Sequence, residues 1–230
     1  MGISLNLFKK PTKKIIKTKI ICITGYSGSG KTTMAKLMKK YLPNSCLIIK
    51  DAEMSHIYNV EEFERNHSVI GIPVNTNNAT VYFREAATIC TKAQESIAFA
   101  SADTETKYLE LLSRYLEDRF NMKMKSLLSD NQIEFIILEF ICLPVFKIWN
   151  DADFRIIVRP SNWESLIKNV GKRGDSVTVT PDIAKARYLS TKHILENVSN
   201  VTHEFINHYD NKYKKEIKKF CNGLTNNRNK

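Results

Sequence analysis

Apolar positions in this chain fall into two rhythms. Short runs dense in β-branched residues, Ile20 to Thr24, Cys46 to Lys50, Ile133 to Leu138 and Phe154 to Val158, carry few polar interruptions. That is the pattern of strands covered on both faces. His203 to Ile206 is a weaker candidate for a last strand. Between these runs lie stretches of amphipathic character, among them Thr32 to Tyr41 and Asn162 to Val170, which predict helices. Strands alternating with helices predict the α/β class, with a parallel sheet flanked by crossover helices.

One interval is too long for a simple crossover. Ala52 to Asn131 therefore predicts an inserted helical lobe, spanning about residues 60–130. Gly71 to Thr80 holds Pro73 and an Asn/Thr cluster and reads as a loop. The pattern turns helical from Val81 through Ser101, and again from Thr104 through Ser129. In the latter, Leu109, Leu112, Leu116 and Phe120 mark one apolar face, expected to be the core of the lobe. The resulting layout is a basic extension without order over 1–18, one domain over 19–223 with a short lid at about 171–181, and a frayed tail over 224–230.

Composition narrows the picture. The 230 residues suffice for one well-buried core. No segment reaches the roughly 18 uninterrupted apolar residues of a membrane span, since Phe135 to Trp149 is broken by Glu139, Pro144 and Lys147. A soluble, cytoplasmic protein without a membrane partner is expected. Cys22, Cys46, Cys90, Cys142 and Cys221 contain no C-x-x-C pair and sit mostly in apolar runs, as small buried hydrophobes in a reducing compartment do. The five histidines show no ligand spacing with them, so no structural zinc is assigned.

Charge is unevenly placed. The net charge is +11, and no Asp or Glu precedes Asp51. Lysines from Lys9 to Lys17 read as a solvated tail, and the excess around the first helix as an electropositive setting for a polyanionic small-molecule substrate. No specific nucleic-acid partner is expected on this account.

The most informative segment is Gly25-Tyr26-Ser27-Gly28-Ser29-Gly30-Lys31-Thr32. It fits G-x-x-x-x-G-K-[ST] and lies between an apolar strand and an amphipathic helix, the context that the mechanism of a phosphate-binding loop requires. Glycines let backbone N–H groups turn inward around a phosphate, and the helix start adds partial positive charge. Gly25, Ser27, Gly28, Ser29, Gly30, Lys31, Thr32 and Thr33 are thus the candidate nucleotide-binding residues. Lys31 is placed to reach the β- and γ-phosphates of ATP, and the Thr32 hydroxyl to coordinate the accompanying Mg²⁺.

Three further features point to a small-molecule kinase. Asp51 stands at the end of the second strand, where a carboxylate orients or deprotonates an acceptor hydroxyl; its competing role is a helix N-cap. Arg173 lies in the glycine-flanked basic turn Gly171-Lys172-Arg173-Gly174-Asp175, suited to a lid that brings a guanidinium onto a transferring phosphoryl group. Arg187 is a second candidate for the nucleotide, and either arginine has a surface ion pair as its alternative. GTPase signatures are missing: there is no N-K-x-D, and no D-x-x-G at the expected place. Glu139, closing the third strand, is a candidate to hold Mg²⁺ through a water.

In order, these residues resemble the dephospho-CoA kinase family. The loop Gly25 to Thr32, Lys50-Asp51-Ala52-Glu53, the lobe segments Ile97 to Ser101 and Tyr108 to Leu112, and Leu143-Pro144-Val145-Phe146 are similar to that family's segments, as are Lys172-Arg173, Thr180-Pro181-Asp182 and Arg187. Phe205-Ile206-Asn207 resembles a strand whose Asn lies beside the adenine, which makes Asn207 a cofactor-contact candidate. The resemblance implies ATP-dependent phosphorylation of the 3′-hydroxyl of dephospho-CoA, with Asp51 as general base. The chain departs from the family in carrying Tyr26 where a smaller residue is usual, and in Ser113-Arg114-Tyr115, which lacks the lobe's His and Pro. Two rivals stand beside this reading. Ser27 to Thr33 and Ile137-Leu138-Glu139 also match uridine kinase-like enzymes, although Phe140 replaces their glycine. A non-catalytic nucleotide-binding regulator is the rival from another class.

Overall fold

The computed structural model describes residues 17–49, 117, 120–121, 123–171, 188, 191–192 and 194–226. Five parallel strands form one sheet in the order β2-β3-β1-β4-β5. β1 (Lys19–Gly25) is central and leads into α1 (Lys31–Tyr41) and then to the outer strand β2 (Ser45–Ile49). β3 (Phe135–Glu139) lies between β2 and β1, with Ile23 and Ile49 each level with Glu139. A 3₁₀ turn (Leu143–Val145) and the short α2 (Lys147–Asp151) follow. The chain then crosses to β4 (Phe154–Pro160) on the other side of β1, continues through α3 (Trp163–Gly171) and reaches β5 (His203–Asn207) and α4 (Asn211–Asn226). Since β1 and β3 send their connections to opposite sides, a crevice forms at their carboxyl ends, the usual ligand site of an open parallel sheet.

The near-continuous apolarity of β1 and β3 has the cause expected from the sequence, because both faces are covered, whereas the edge strand β5 exposes Glu204 and Ile206. Alternate residues of β1 go opposite ways. Ile21 and Ile23 pack with Met34, Ala35 and Met38 of α1 and with Tyr213, Ile217 and Cys221 of α4. Ile20 and Cys22 join Phe120, Leu143, Phe146 and Trp149 on the other face. Each fully buried large aliphatic chain contributes about 1.5–3 kcal/mol of transfer free energy, so β1 is fixed in register from both sides. Cys22, Cys142 and Cys221 are buried within these layers.

Several boundaries differ from the sequence expectation for local reasons. The strand expected from Ile133 begins at Phe135, because Asp130 first holds a turn: its side chain accepts the Gln132 N–H and its carbonyl the Ile133 N–H. Thr18, assigned to the extension, is already tied down, donating its hydroxyl to the Ile133 carbonyl at 2.7 Å. Phe120 is not confined to a separate lobe core: it stacks on Phe140 and meets Phe146 edge-on beneath the sheet, with centroids 6.3 and 5.8 Å away. The final helix α4 passes through Gly223, and Leu224 beyond it is buried, which corrects a tail starting at 224. No helix among the described residues is long and apolar enough to cross a membrane. Most of the expected lobe, and the lid from 172 onward, lie outside the described residues.

Candidate functional site

At the carboxyl end of β1 the chain makes three positive-φ turns at glycine: Gly25 (146°), Gly28 (84°) and Gly30 (99°). Two of these positions are closed to any side chain by space as well as by φ. A Cβ on Gly25 would run into the Val158 carbonyl of β4, and one on Gly30 into the Asn207 amide while touching the Tyr213 ring. The loop is thus pressed between the ends of β4 and β5 and the start of α4.

Its carbonyls are held from outside. Asn169 and Tyr209 both donate to the Gly28 oxygen at 3.2 Å, Asn207 to the Ser29 oxygen at 2.9 Å, and the Tyr213 hydroxyl to the Gly30 oxygen at 3.2 Å. In a planar trans peptide the N–H points away from the C=O. Pinning the Ser29 and Gly30 carbonyls therefore aims the N–H groups of Gly30 and Lys31 to the other side, into the cradle. Gly30 serves as the N-cap of α1 with no side-chain cap, and no acid occupies the first turn. The helix start thus keeps its affinity for an anion. Burial, with Tyr209 and Glu216 nearby, pushes the Tyr213 phenol above its ordinary range, so the hydroxyl stays a donor.

The chemistry-bearing side chains stand around this loop. Lys31 is buried, and its Nζ donates to the Tyr26 carbonyl at 2.8 Å across the loop. Thr32 donates its hydroxyl to the Glu139 carboxylate at 3.4 Å. Glu139 is only 5% exposed, and β3 delivers it to the crevice at the level of Ile23. The Thr32 and Glu139 candidates, 107 positions apart, are therefore neighbours. Thr33 is exposed, Ser27 half-buried, and Ser29 fully buried with its hydroxyl lacking a partner. Tyr26 points away into an aromatic group, stacking on Tyr188 at 4.9 Å, which meets Trp163 edge-on at 4.9 Å. That packing accounts for a large residue at this loop position.

Asn207 sits on the β5 side of the loop. Its Nδ2 is engaged by Ser29 and its Oδ1 accepts the Tyr209 N–H at 2.7 Å, so both ends of the amide serve loop geometry. Asp51, Arg173 and Arg187 lie outside the described residues. Ile49, the last described residue of β2, is level with Glu139, so the chain leaves β2 at the same sheet edge as the loop. Sequence reasoning missed Asn169, Tyr209 and Tyr213, which contact the loop across 141, 181 and 183 positions. Their partners are backbone carbonyls, which leave no trace in residue identity.

The parallel sheet with a phosphate-binding loop on its central strand defines the class: an α/β protein of the P-loop kind. Among solved structures the chain is similar to TT1252 from Thermus thermophilus, with TM-score 0.59 and 19% identity over 91% of this chain and 97% of that one; the two share a fold. Weaker likenesses are to shikimate kinase from Bacteroides thetaiotaomicron (TM-score 0.45, 14% identity, 90% and 98% covered) and dephospho-CoA kinase from Campylobacter jejuni (0.41, 14%, 92% and 97%). No protein-family model and no curated protein matches the chain.

Proposed function

We propose that this chain is an ATP-dependent kinase of a small-molecule hydroxyl, with the ribose 3′-hydroxyl of dephospho-CoA as the favoured acceptor. The observation that carries the reading is the glycine loop whose carbonyls are held by outside donors, beside the Thr32–Glu139 pair. Such a loop presents N–H groups to an anion at a helix start and suits the phosphate tail of a nucleoside triphosphate. The hydroxyl of Thr32 and the carboxylate of Glu139 are hard oxygen donors of the sort Mg²⁺ takes, directly or through water. Mg²⁺, when bound, neutralises charge on the phosphate oxygens.

The chain's own residues then divide the work. Lys31 exchanges the Tyr26 carbonyl for phosphate oxygens as the nucleotide enters. Asp51 orients the acceptor hydroxyl and takes its proton while the hydroxyl oxygen bonds to the γ-phosphorus and the bond to the β,γ-bridging oxygen breaks. Arg173 and Arg187 compensate negative charge on the phosphates. The roles of these last three residues rest on the family resemblance. Catalysis is positioning and electrostatics. Lys31→Ala is expected to lower turnover by about 10²-fold or more, and Asp51→Asn to keep ATP binding while losing turnover; unchanged turnover in the latter removes Asp51 from the mechanism.

A uridine kinase-like reading is favoured by a third strand that ends in Glu139 beside the loop. Against it, Phe140 is held in the core between Phe120 and Phe146. The experiment is ADP release with ATP·Mg²⁺ and a panel of dephospho-CoA, uridine, pantothenate and nicotinamide riboside. Turnover on dephospho-CoA alone supports the leading reading, and turnover on uridine alone replaces it. ATP binding without acceptor-dependent ADP release marks a non-catalytic regulator.

A further inference from the structure

Two neighbouring helices on one face of the sheet are rich in lysine. α1 exposes Lys36, Lys39 and Lys40 and contains no acid, while the exposed charged positions of α4 are lysines apart from Glu216. The two helices pack together, and Lys218 Nζ stands 5.9 Å from the centre of the Tyr41 ring, so their lysines form one continuous face. Described residues between 117 and 153 mix Lys123, Lys125 and Lys147 with Glu117, Asp130, Glu134, Asp151 and Asp153, and two of these acids border the basic face: Asp130 lines a pocket with Lys39, and Glu134 accepts from Asn44 just past α1. At the edge of the basic face lies a groove of about 460 Å³ between α4 and the starts of β1, β4 and β5, walled by Phe154, His203 and Phe220 with Lys19, Lys219 and the single acid Glu216 beside them. Its rings stand nearly perpendicular: Phe154 meets Phe220 at 90°, and His203 meets Phe220 at 66° with centroids 4.7 Å apart.

We propose that this face binds single-stranded nucleic acid without sequence preference, the lysines of α1 and α4 taking backbone phosphates and the aromatic groove taking an unpaired base. Basic surface joined to ring faces is the combination that single strands require. A duplex keeps its bases stacked inside and has nothing to offer the groove. A lipid surface fits less well: the apolar stripe of α4, Tyr213, Ile217, Cys221 and Leu224, is buried against the sheet, and neither helix exposes a large apolar residue for insertion. The inference is independent of the kinase reading, since the loop lies at the opposite end of the strands.

The test is fluorescence anisotropy of the full chain with labelled oligouridylate of about 12 nucleotides, across a salt series, with and without excess ATP and Mg²⁺. Saturable binding that ATP does not displace is expected, with log affinity falling linearly in log salt. Combining Lys214→Gln, Lys215→Gln and Lys218→Gln should flatten that slope by about 2, at about 0.7 for each phosphate that is no longer neutralised. Phe220→Leu should weaken binding about ten-fold at unchanged slope. Because Phe220 also packs, Lys19→Gln with Lys219→Gln, checked for an unchanged thermal midpoint, tests the groove again and should weaken binding. An unaltered slope in the combined lysine variant, displacement by ATP, equal or tighter binding of a duplex of the same length, or capture by phosphatidylserine vesicles in place of the oligonucleotide would each overturn the proposal.

Discussion

At the carboxyl ends of β1 and β3 the chain buries polar groups and pairs the loop carbonyls with donors, leaving the Ser29 hydroxyl without a partner; at the amino ends of β1, β4 and β5 it leaves aromatic rings half-exposed around a groove. The first end is built from backbone. Its geometry depends on glycine φ angles and on donors reaching carbonyls from distant parts of the chain, so a single methyl group or a single hydroxyl matters. The second end is built from side-chain surface. On the two proposals above, the contrast separates a backbone cradle for phosphate from a side-chain surface for an unpaired base.

The largest expected effect breaks the first end. Gly30→Ala places a Cβ against the Asn207 amide, which cannot move without releasing the Ser29 carbonyl, at a φ of 99° that alanine resists. Strain of that kind costs about 1–3 kcal/mol before the clash is counted, and denaturant midpoints should fall accordingly. Gly223→Ala is the counterpart on α4, near the other end. A Cβ there meets nothing within 4 Å, and alanine is favoured in a helix interior by about 1 kcal/mol, so this variant should be more stable than the parent. A loss of stability at Gly223 comparable to that at Gly30 would erase the distinction.

Smaller effects sharpen it. Tyr213→Phe removes the hydroxyl that holds the Gly30 carbonyl, which keeps its helical bond from the Met34 N–H at 3.0 Å. Losing one of two partners should cost about 1 kcal/mol. Tyr209→Phe, at the Gly28 carbonyl, also leaves one donor in place, Asn169, and a similar or smaller loss is expected. On the proposed function, both variants should weaken ADP binding in calorimetry, because the carbonyls they release set the direction of the cradle's N–H groups. Unchanged affinity in both would reduce these tyrosines to packing.

These outcomes bear on what a sequence discloses. The strands were legible because two-sided burial forces continuous apolarity, and the loop because glycine, lysine and threonine are required at fixed positions within eight residues. Glu139 was legible as the residue closing β3, and the structure puts it within 3.4 Å of Thr32. The end of α4 was hidden: past Gly223 the sequence is rich in asparagine and basic residues and resembles a tail, although Leu224 continues the apolar series Tyr213, Ile217 and Cys221. The helix start is marked only by Asp210, whose carboxylate accepts the N–H groups of Lys212 and Tyr213. The loop's outer donors were hidden for a different reason. A carbonyl accepts from any suitable donor that the fold brings near, so Asn169, Tyr209 and Tyr213 satisfy no spacing rule and become visible only with the placement of α3, the register of β5 and the packing of α4 on α1.

The smallest expected effect belongs to the groove and concerns pH. His203 lies against Phe220 and Phe154, with Nδ1 3.0 Å from the Thr202 hydroxyl, and burial lowers its pKa below the ordinary histidine value. The charged groups that share the groove with it are Lys19, Lys219 and Glu216. A lowered folded-state value means that, as pH falls below about 6.5, the unfolded chain takes up a proton that the folded ring still refuses. Stability is therefore full above that pH and declines as pH falls toward the folded-state value. His203→Phe, which cannot titrate, should lose less stability than the parent when the denaturant midpoint is compared at about pH 7.5 and about pH 5.5. The phosphate-loop variants should keep the parent's pH dependence, because their lesions lie at the other end of the strands. If His203→Phe declines as steeply as the parent, the ring is not the titrating group, and the groove loses the charge sensitivity that distinguishes it from the loop.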